Sequence, residues 1–183
     1  MSGDATASRL IALTGGPGSG KTTVIELLRA AGYATAPEAG RAIIRQQQAI
    51  GGSALPWADR SLFAELMLAW ELRSHQWALD QPGPVFFDHA VPSVAGYLRL
   101  CELPVPSHVD SAARLFRYHP TVFVAPPWPD IYRTDTERQQ SADEAVATHD
   151  ALVATYRHYG YRLVELPRTS PQNRLDFLLS VTG

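Results

Sequence analysis

Lysine is nearly missing from this chain. Of its 16 lysine and arginine residues, 15 are arginine, and Lys21 is the only lysine. A composition that uses arginine wherever charge suffices has kept one compact, flexible point charge, for which a planar guanidinium is no substitute. Cysteine is as scarce. Cys101 stands alone, which excludes an intramolecular disulfide and suits a reducing compartment; it is expected to be a buried small hydrophobe. No apolar run reaches the length of a membrane helix, so no membrane partner is expected. The first eight residues lack the basic start and apolar stretch of a signal peptide, and a cytoplasmic location is the expectation. Excess charge is missing too. A net charge of -2 supplies no broad basic field, so nucleic acid is not expected as a partner. There is no internal repeat and no low-complexity segment.

What is present suits a globular chain. Hydrophobic residues make up 45% and charged residues 19%. At 183 residues the chain is long enough for one domain that buries roughly 70% of its unfolded surface. Short apolar strands are expected at Leu10–Thr14, Tyr33–Ala36, Val85–Asp88, Thr121–Ala125 and Tyr161–Leu166. Helical patterns lie between them: Lys21–Ala31, Pro37–Ile50, a long helix from Trp57 to Leu79, Pro92–Leu100, His108–Phe116, and a helix to Tyr159 opened by Ser141 and Glu144 as a capping box. A last helix starts at Ser170 and Pro171. Phe63, Leu66, Met67, Trp70 and Trp77 give the long helix an apolar stripe. Strands alternating with helices indicate an α/β protein with a parallel sheet covered on both faces.

Between the first strand and the first helix lies Gly15-Gly16-Pro17-Gly18-Ser19-Gly20-Lys21-Thr22. It fits G-x-x-x-x-G-K-[ST] at every fixed position. The glycines let backbone N–H groups turn inward, and with the helix N-terminus they form an anion cradle. This is the phosphate loop of a P-loop NTPase. Gly16, Gly18, Ser19, Gly20, Lys21, Thr22 and Thr23 are expected to hold nucleotide phosphates. Lys21 reaches the β and γ phosphates, and the Thr22 hydroxyl ligates Mg²⁺. The chain carries no guanine-recognition motif of the NKxD type, so ATP is preferred to GTP.

Asp88 ends an apolar strand. Ligands of such sheets sit at the carboxyl ends of the strands, which puts Asp88 beside the metal, holding a bound water or taking a proton from an acceptor. The alternative is an aspartate in a turn. Glu38 follows the second strand, with Arg41 one helical turn on. The pair either grips an acceptor or is a first-turn carboxylate loosely paired with Arg41. Asp130, Arg133, Asp135, Glu137 and Arg138 form a charged stretch after the fourth strand. It reads as a mobile lid over residues 128–141, with Arg138 and Arg133 neutralising charge on a transferring phosphoryl group, or as a solvated loop. Residues 37–82 are long for a simple crossover and are expected to form a helical insert that builds the acceptor site, with Glu38, Arg41, Trp57 and Arg60 contacting the acceptor.

With these residues in hand, the chain resembles the NadR-like AAA-type P-loop ATPase/kinase domains over nearly its whole length. The resemblance is carried by residues 14–23, Pro37-Glu38 with Arg41, Phe86-Phe87-Asp88, residues 132–139, and Glu165-Leu166-Pro167 with Arg174. It departs at His89, where relatives often have arginine. The resemblance implies phosphoryl transfer and places Pro167–Ser170 near the adenine. The expectation is therefore a single P-loop domain with a five-stranded parallel sheet, using ATP and Mg²⁺. It would act as a small-molecule kinase on a hydroxyl of a nucleoside-like metabolite, with Lys21, Asp88, Glu38 and Arg138 catalytic. The competing expectation is a regulatory or sensor ATPase without an acceptor. Partners would be a nucleotide and a small molecule, and the state monomeric or homodimeric.

Overall fold

The computed structural model describes residues 7–131 and 141–182. Five strands form one parallel sheet: β1 (Leu10–Thr14), β2 (Ala34–Ala36), β3 (Val85–Asp88), β4 (Thr121–Val124) and β5 (Arg162–Glu165), in the order β2-β3-β1-β4-β5. Among the described residues seven α-helices flank it: α1 (Lys21–Ala30), α2 (Ala39–Ile50), α3 (Arg60–Leu79), α4 (Val91–Leu100), α5 (Ser107–Leu115), α6 (Ala142–His158) and α7 (Pro171–Thr182).

Alternation along the central strands builds a core on each face. Leu10 and Ala12 of β1 and Phe87 of β3 pack with Leu68, Val94, Leu98, Leu152 and Tyr156 under α3, α4 and α6. Ile11, Leu13 and Phe86 face the other way, toward Val24, Leu28, Leu175 and Leu178 of α1 and α7. A smaller cluster, including Ile43, Ile44, Leu55 and Phe63, joins α2 to α3. The result is a three-layer sandwich with β1 at its centre.

The register positions the site. Leu13 of β1 pairs with Asp88 of β3, and Thr14 pairs with Val124 of β4. The ends of β3 and β4 thus flank the segment that leaves β1 at Gly15. A Cβ at Gly15, where φ is +130°, would collide with the Ala125 carbonyl oxygen, and one at Gly16 would collide with that of Ala145. Only glycine lets the loop pass between β4 and α6 at this distance.

Several element boundaries differ from the sequence expectation. β2 begins at Ala34, because the Tyr33 N–H is spent on the Leu28 carbonyl (3.0 Å), closing α1 beyond Gly32 at φ +90°. Helix α2 begins at Ala39, not Pro37, so Glu38 is its N-cap residue and its side chain makes no cap hydrogen bond. Helix α3 begins at Arg60, not Trp57. The Asp59 N–H bonds to the Ser53 and Leu55 carbonyls, winding 53–59 into a turn, and the Asp59 carboxylate caps the Leu62 N–H at 2.9 Å. At its far end the Arg9 guanidinium reaches the carbonyls of Leu79, Gln81 and Gly83. The stripe of α3 also differs. Trp77 is 43% exposed, and Glu71 and His75 are buried instead. Cys101 is half-buried at the end of α4 rather than a core residue.

Candidate active site

The phosphate loop runs from the end of β1 into α1. Gly18 and Gly20 hold φ of +69° and +80°, left-handed values that suit glycine. The Ser19 hydroxyl donates to the Gly16 carbonyl at 2.7 Å. Lys21 is buried, and its ammonium donates to the carbonyls of Gly15 (2.9 Å) and Gly16 (3.0 Å). Thr22 and Thr23 are exposed on the first turn of α1.

A cleft of about 570 Å³ opens on this loop. Residues 17–23 and Arg41 line one side, and Trp128, Ile131, Thr169, Ser170 and Arg174 line the other. Arg174 ties the two sides together. Its Nη1 donates to the Ser19 carbonyl at 2.7 Å, its Nε donates to the Pro167 carbonyl at 2.8 Å, and its guanidinium lies 5.2 Å from the Trp128 ring centre. It is 2% exposed. The Pro167 segment is thus held to the loop by Arg174.

Asp88 lies at the strand ends, 4% exposed, and its Oδ1 has no hydrogen-bond partner among the described residues. Burial pushes its carboxyl above the usual range, while Lys21 and Arg41 pull it back. Among the described residues no group of three His, Cys, Asp or Glu side chains could hold a metal. An orphaned carboxylate oxygen and a threonine hydroxyl instead suit an ion such as Mg²⁺, which binds through one or two protein ligands, waters and substrate phosphates.

A second cavity, of about 460 Å³, lies beside the first. Pro17 and Glu38 line both. Glu38 pairs with Arg41 at 3.3 Å, so the pair straddles the boundary: Glu38 reaches the second cavity, whereas Arg41 lines only the phosphate cleft. Trp57 lines the second cavity at its exposed rim. Arg60 lines neither; its Nε donates to the Pro56 carbonyl at 3.1 Å on the surface. Arg133 and Arg138 fall outside the described residues.

The inner wall of the second cavity holds three groups that the sequence reading left out of the site or left undecided. His89 adopts φ +71°. Its Nδ1 lies 3.4 Å from the Thr14 hydroxyl and 3.3 Å from that of Ser93, which in turn meets the Tyr156 hydroxyl at 2.8 Å. Burial, with Lys21 adding to it, holds the imidazole well below its ordinary pKa, so the ring is neutral at pH 7. Glu71, on the buried face of α3, lines the cavity with Ser93 and His89. Burial first, and the nearby Asp88 carboxylate second, push its carboxyl up to about 8. In sequence Glu71 is one charged residue in an apolar helix, and only its register on the buried face distinguishes it.

The profile of the AAA domain family matches residues 10–174. The chain belongs to this AAA domain family. Among solved structures, NadR bound to NR superposes with a TM-score of 0.70 at 18% identity, covering 97% of this chain and 51% of that one. NadR bound to NAD and AMP-PNP gives 0.67 at 20% identity, covering 97% and 50%. This AAA domain thus spans about half the length of the NadR structures. Thymidylate kinase from Ehrlichia chaffeensis gives 0.65 at 15% identity, covering 95% and 98%. No curated protein sequence matches. At these identities the likeness is one of fold, and the fold is that of P-loop kinases. Among the described residues no helix is long and apolar enough to cross a membrane.

Proposed function

We propose that this AAA domain is an ATP-dependent phosphotransferase that moves the γ-phosphoryl group to a hydroxyl of a small, nucleoside-like molecule. One observation carries the reading: a phosphate cleft and a separate apolar-walled cavity, each the size of a small-molecule site, meet at Pro17 and Glu38. A protein that only binds or hydrolyses ATP needs the first cavity and not the second.

The chain's own residues have distinct roles in this scheme. The loop N–H groups and the N-terminus of α1 receive the phosphates. Lys21 exchanges its two loop carbonyls for phosphate oxygens. Thr22 and Asp88 would hold Mg²⁺, which neutralises charge on the β and γ phosphates when bound. The base lies in the cleft between Trp128 and the loop held by Arg174. The acceptor occupies the second cavity, where Glu38 stands at the mouth facing the phosphates. Glu38 and Asp88 are the two carboxylates placed to orient or deprotonate the acceptor hydroxyl. Arg133 and Arg138 are assigned to charge stabilisation during transfer.

The test is ATP consumption against a panel of nucleosides and related metabolites, with phosphorylated product identified by mass. At least one compound should raise ADP formation well above the acceptor-free rate, and Asp88→Asn should abolish that increase while leaving ATP binding intact. ATP hydrolysis indifferent to every acceptor would instead assign a regulatory ATPase.

A further inference from the structure

Arg174 is a buried cation without an anion. Its guanidinium spends Nη1 and Nε on the carbonyls of Ser19 and Pro167. Its Nη2 is buried too and has no hydrogen-bond partner among the described residues. No carboxylate among those residues pairs with it, and the neighbouring charge that acts on it, Arg168, is another cation. An arginine keeps its charge in a folded protein, and a buried charge without a counter-ion costs free energy. Such a charge calls for an anion, and Arg174 lines the phosphate cleft.

The carbonyl it holds in the loop decides what the charge does there. A trans peptide is planar, with its C=O and N–H on opposite sides. The Ser19 carbonyl points at Arg174, so the N–H of the same peptide, which belongs to Gly20, is turned away from the arginine. That N–H meets no acceptor among the described residues. Gly20 is the N-cap residue of α1 and lines the phosphate cleft. An unpaired N–H at a helix N-terminus is a ready donor to an anion. A charged donor on the carbonyl also polarises the peptide, which strengthens its N–H as a donor.

We propose that Arg174 is a positioning residue for phosphate binding: it holds the Ser19 carbonyl so that the Gly20 N–H faces a phosphate oxygen of the bound nucleoside triphosphate. This rests on reading the phosphate cleft as a nucleotide site. Arg174 acts through the Ser19–Gly20 peptide and touches no phosphate itself. The triphosphate supplies the negative charge that the protein withholds from it. The site thus draws on two cations of different kinds. Lys21 leaves its carbonyls for phosphate, whereas Arg174 stays on its own, which a planar fork can hold two at a time.

The experiment uses the full chain with Mg²⁺ and two probes: ATP, and inorganic tripolyphosphate, which has the phosphates but no base. Affinities are read by calorimetry, and the Gly20 amide is followed by NMR in ¹⁵N-labelled protein. In wild type both probes should bind and should move the Gly20 resonance downfield, as a new hydrogen bond does. Arg174→Met keeps the apolar stem and removes the fork. It should weaken tripolyphosphate roughly 10-fold, the effect of one lost charge-assisted hydrogen bond, and ATP by at least as much, with the Gly20 resonance left near its position in the free protein. Arg174→Lys keeps the charge but holds at most one carbonyl, and should fall between the two in affinity and in shift. A role confined to stability would leave both readouts of the folded variants unchanged, and that result overturns the proposal. Weakened ATP with unchanged tripolyphosphate also overturns it, because Arg174 would then serve only the Pro167 segment. So does a Gly20 resonance that still moves in Arg174→Met, or wild-type affinity and shift in Arg174→Lys, the variant that decides the matter if Arg174→Met does not fold. A Gly20 resonance unmoved by bound ATP in wild type overturns this assignment and leaves nucleotide binding standing. Failure of wild type to bind either probe overturns both.

Discussion

Glu71 leaves a thermodynamic trace that needs no substrate. Its carboxyl is raised from 4.5 to about 8 in the folded protein. Below about pH 4.5 it is protonated in both folded and unfolded states. Between 4.5 and 8 the unfolded chain releases the proton and the folded chain keeps it, so stability falls as pH rises. Glu71→Gln removes that slope. Denaturant midpoints of the two proteins should draw apart as pH rises from 5 to 8, with the variant the more stable, and parallel curves would show that the carboxyl is not held protonated by burial. Lys21 is the opposite kind of residue, singled out in sequence by the phosphate-loop pattern and by its being the only lysine. Lys21→Ala should weaken Mg-ATP binding by about 1.5–3 kcal/mol, the range for a charge-assisted hydrogen bond, read by calorimetry.

At the scale of elements, α3 separates what sequence patterning reveals from what it hides. Its existence and its end at Leu79 were read from the sequence, but its start and its buried face were not. A proline at position 56 and an apolar Trp57 read as a helix opening. The chain instead spends the Asp59 N–H on a turn and caps the helix with the Asp59 carboxylate. A three-residue shift in the start does not change the register of the residues within the helix. Glu71 and His75 stayed hidden because a buried carboxyl reads as a surface residue until its neighbours are known. His75 is held by the Arg117 carbonyl at 3.1 Å, a contact 42 residues away. By contrast, the Ser141–Glu144 capping box was readable because both partners lie within one turn. Asp59→Ala should cost about 1 kcal/mol of stability, the usual worth of an N-cap, with ATP affinity unchanged; a midpoint shift in urea measures it.

Over the whole molecule, the order β2-β3-β1-β4-β5 brings four distant segments to one edge of the sheet: the loop after β1, the start of α2, the end of β3 and the turn before α7. Alternating strands and helices announced this architecture, since a parallel sheet needs crossovers and buried apolar strands. The partition into two cavities was not legible, because it depends on where helices from opposite ends of the chain meet. Gly16 packs on Ala145, and Arg174 holds Ser19 across 155 residues of sequence. Nucleotide binding should therefore stabilise the entire fold. At about 100 times its dissociation constant Mg-ATP adds about 2.7 kcal/mol, a rise of roughly 5–11 °C in Tm for a domain of this size. Thermal melts should show that rise in wild-type protein and lose most of it in Lys21→Ala at the same ATP concentration.

The solitary lysine, drawn in against the carbonyls of Gly15 and Gly16, makes the chain a single-target substrate for an endoprotease that cuts only after lysine. The one susceptible bond, Lys21–Thr22, lies where the phosphate loop becomes α1, at a buried side chain. Cutting there requires that the loop and the first turn of the helix open together. The rate at which two fragments appear would thus report the local opening of the nucleotide site, separately from global unfolding, without a label, a mutation or a known acceptor.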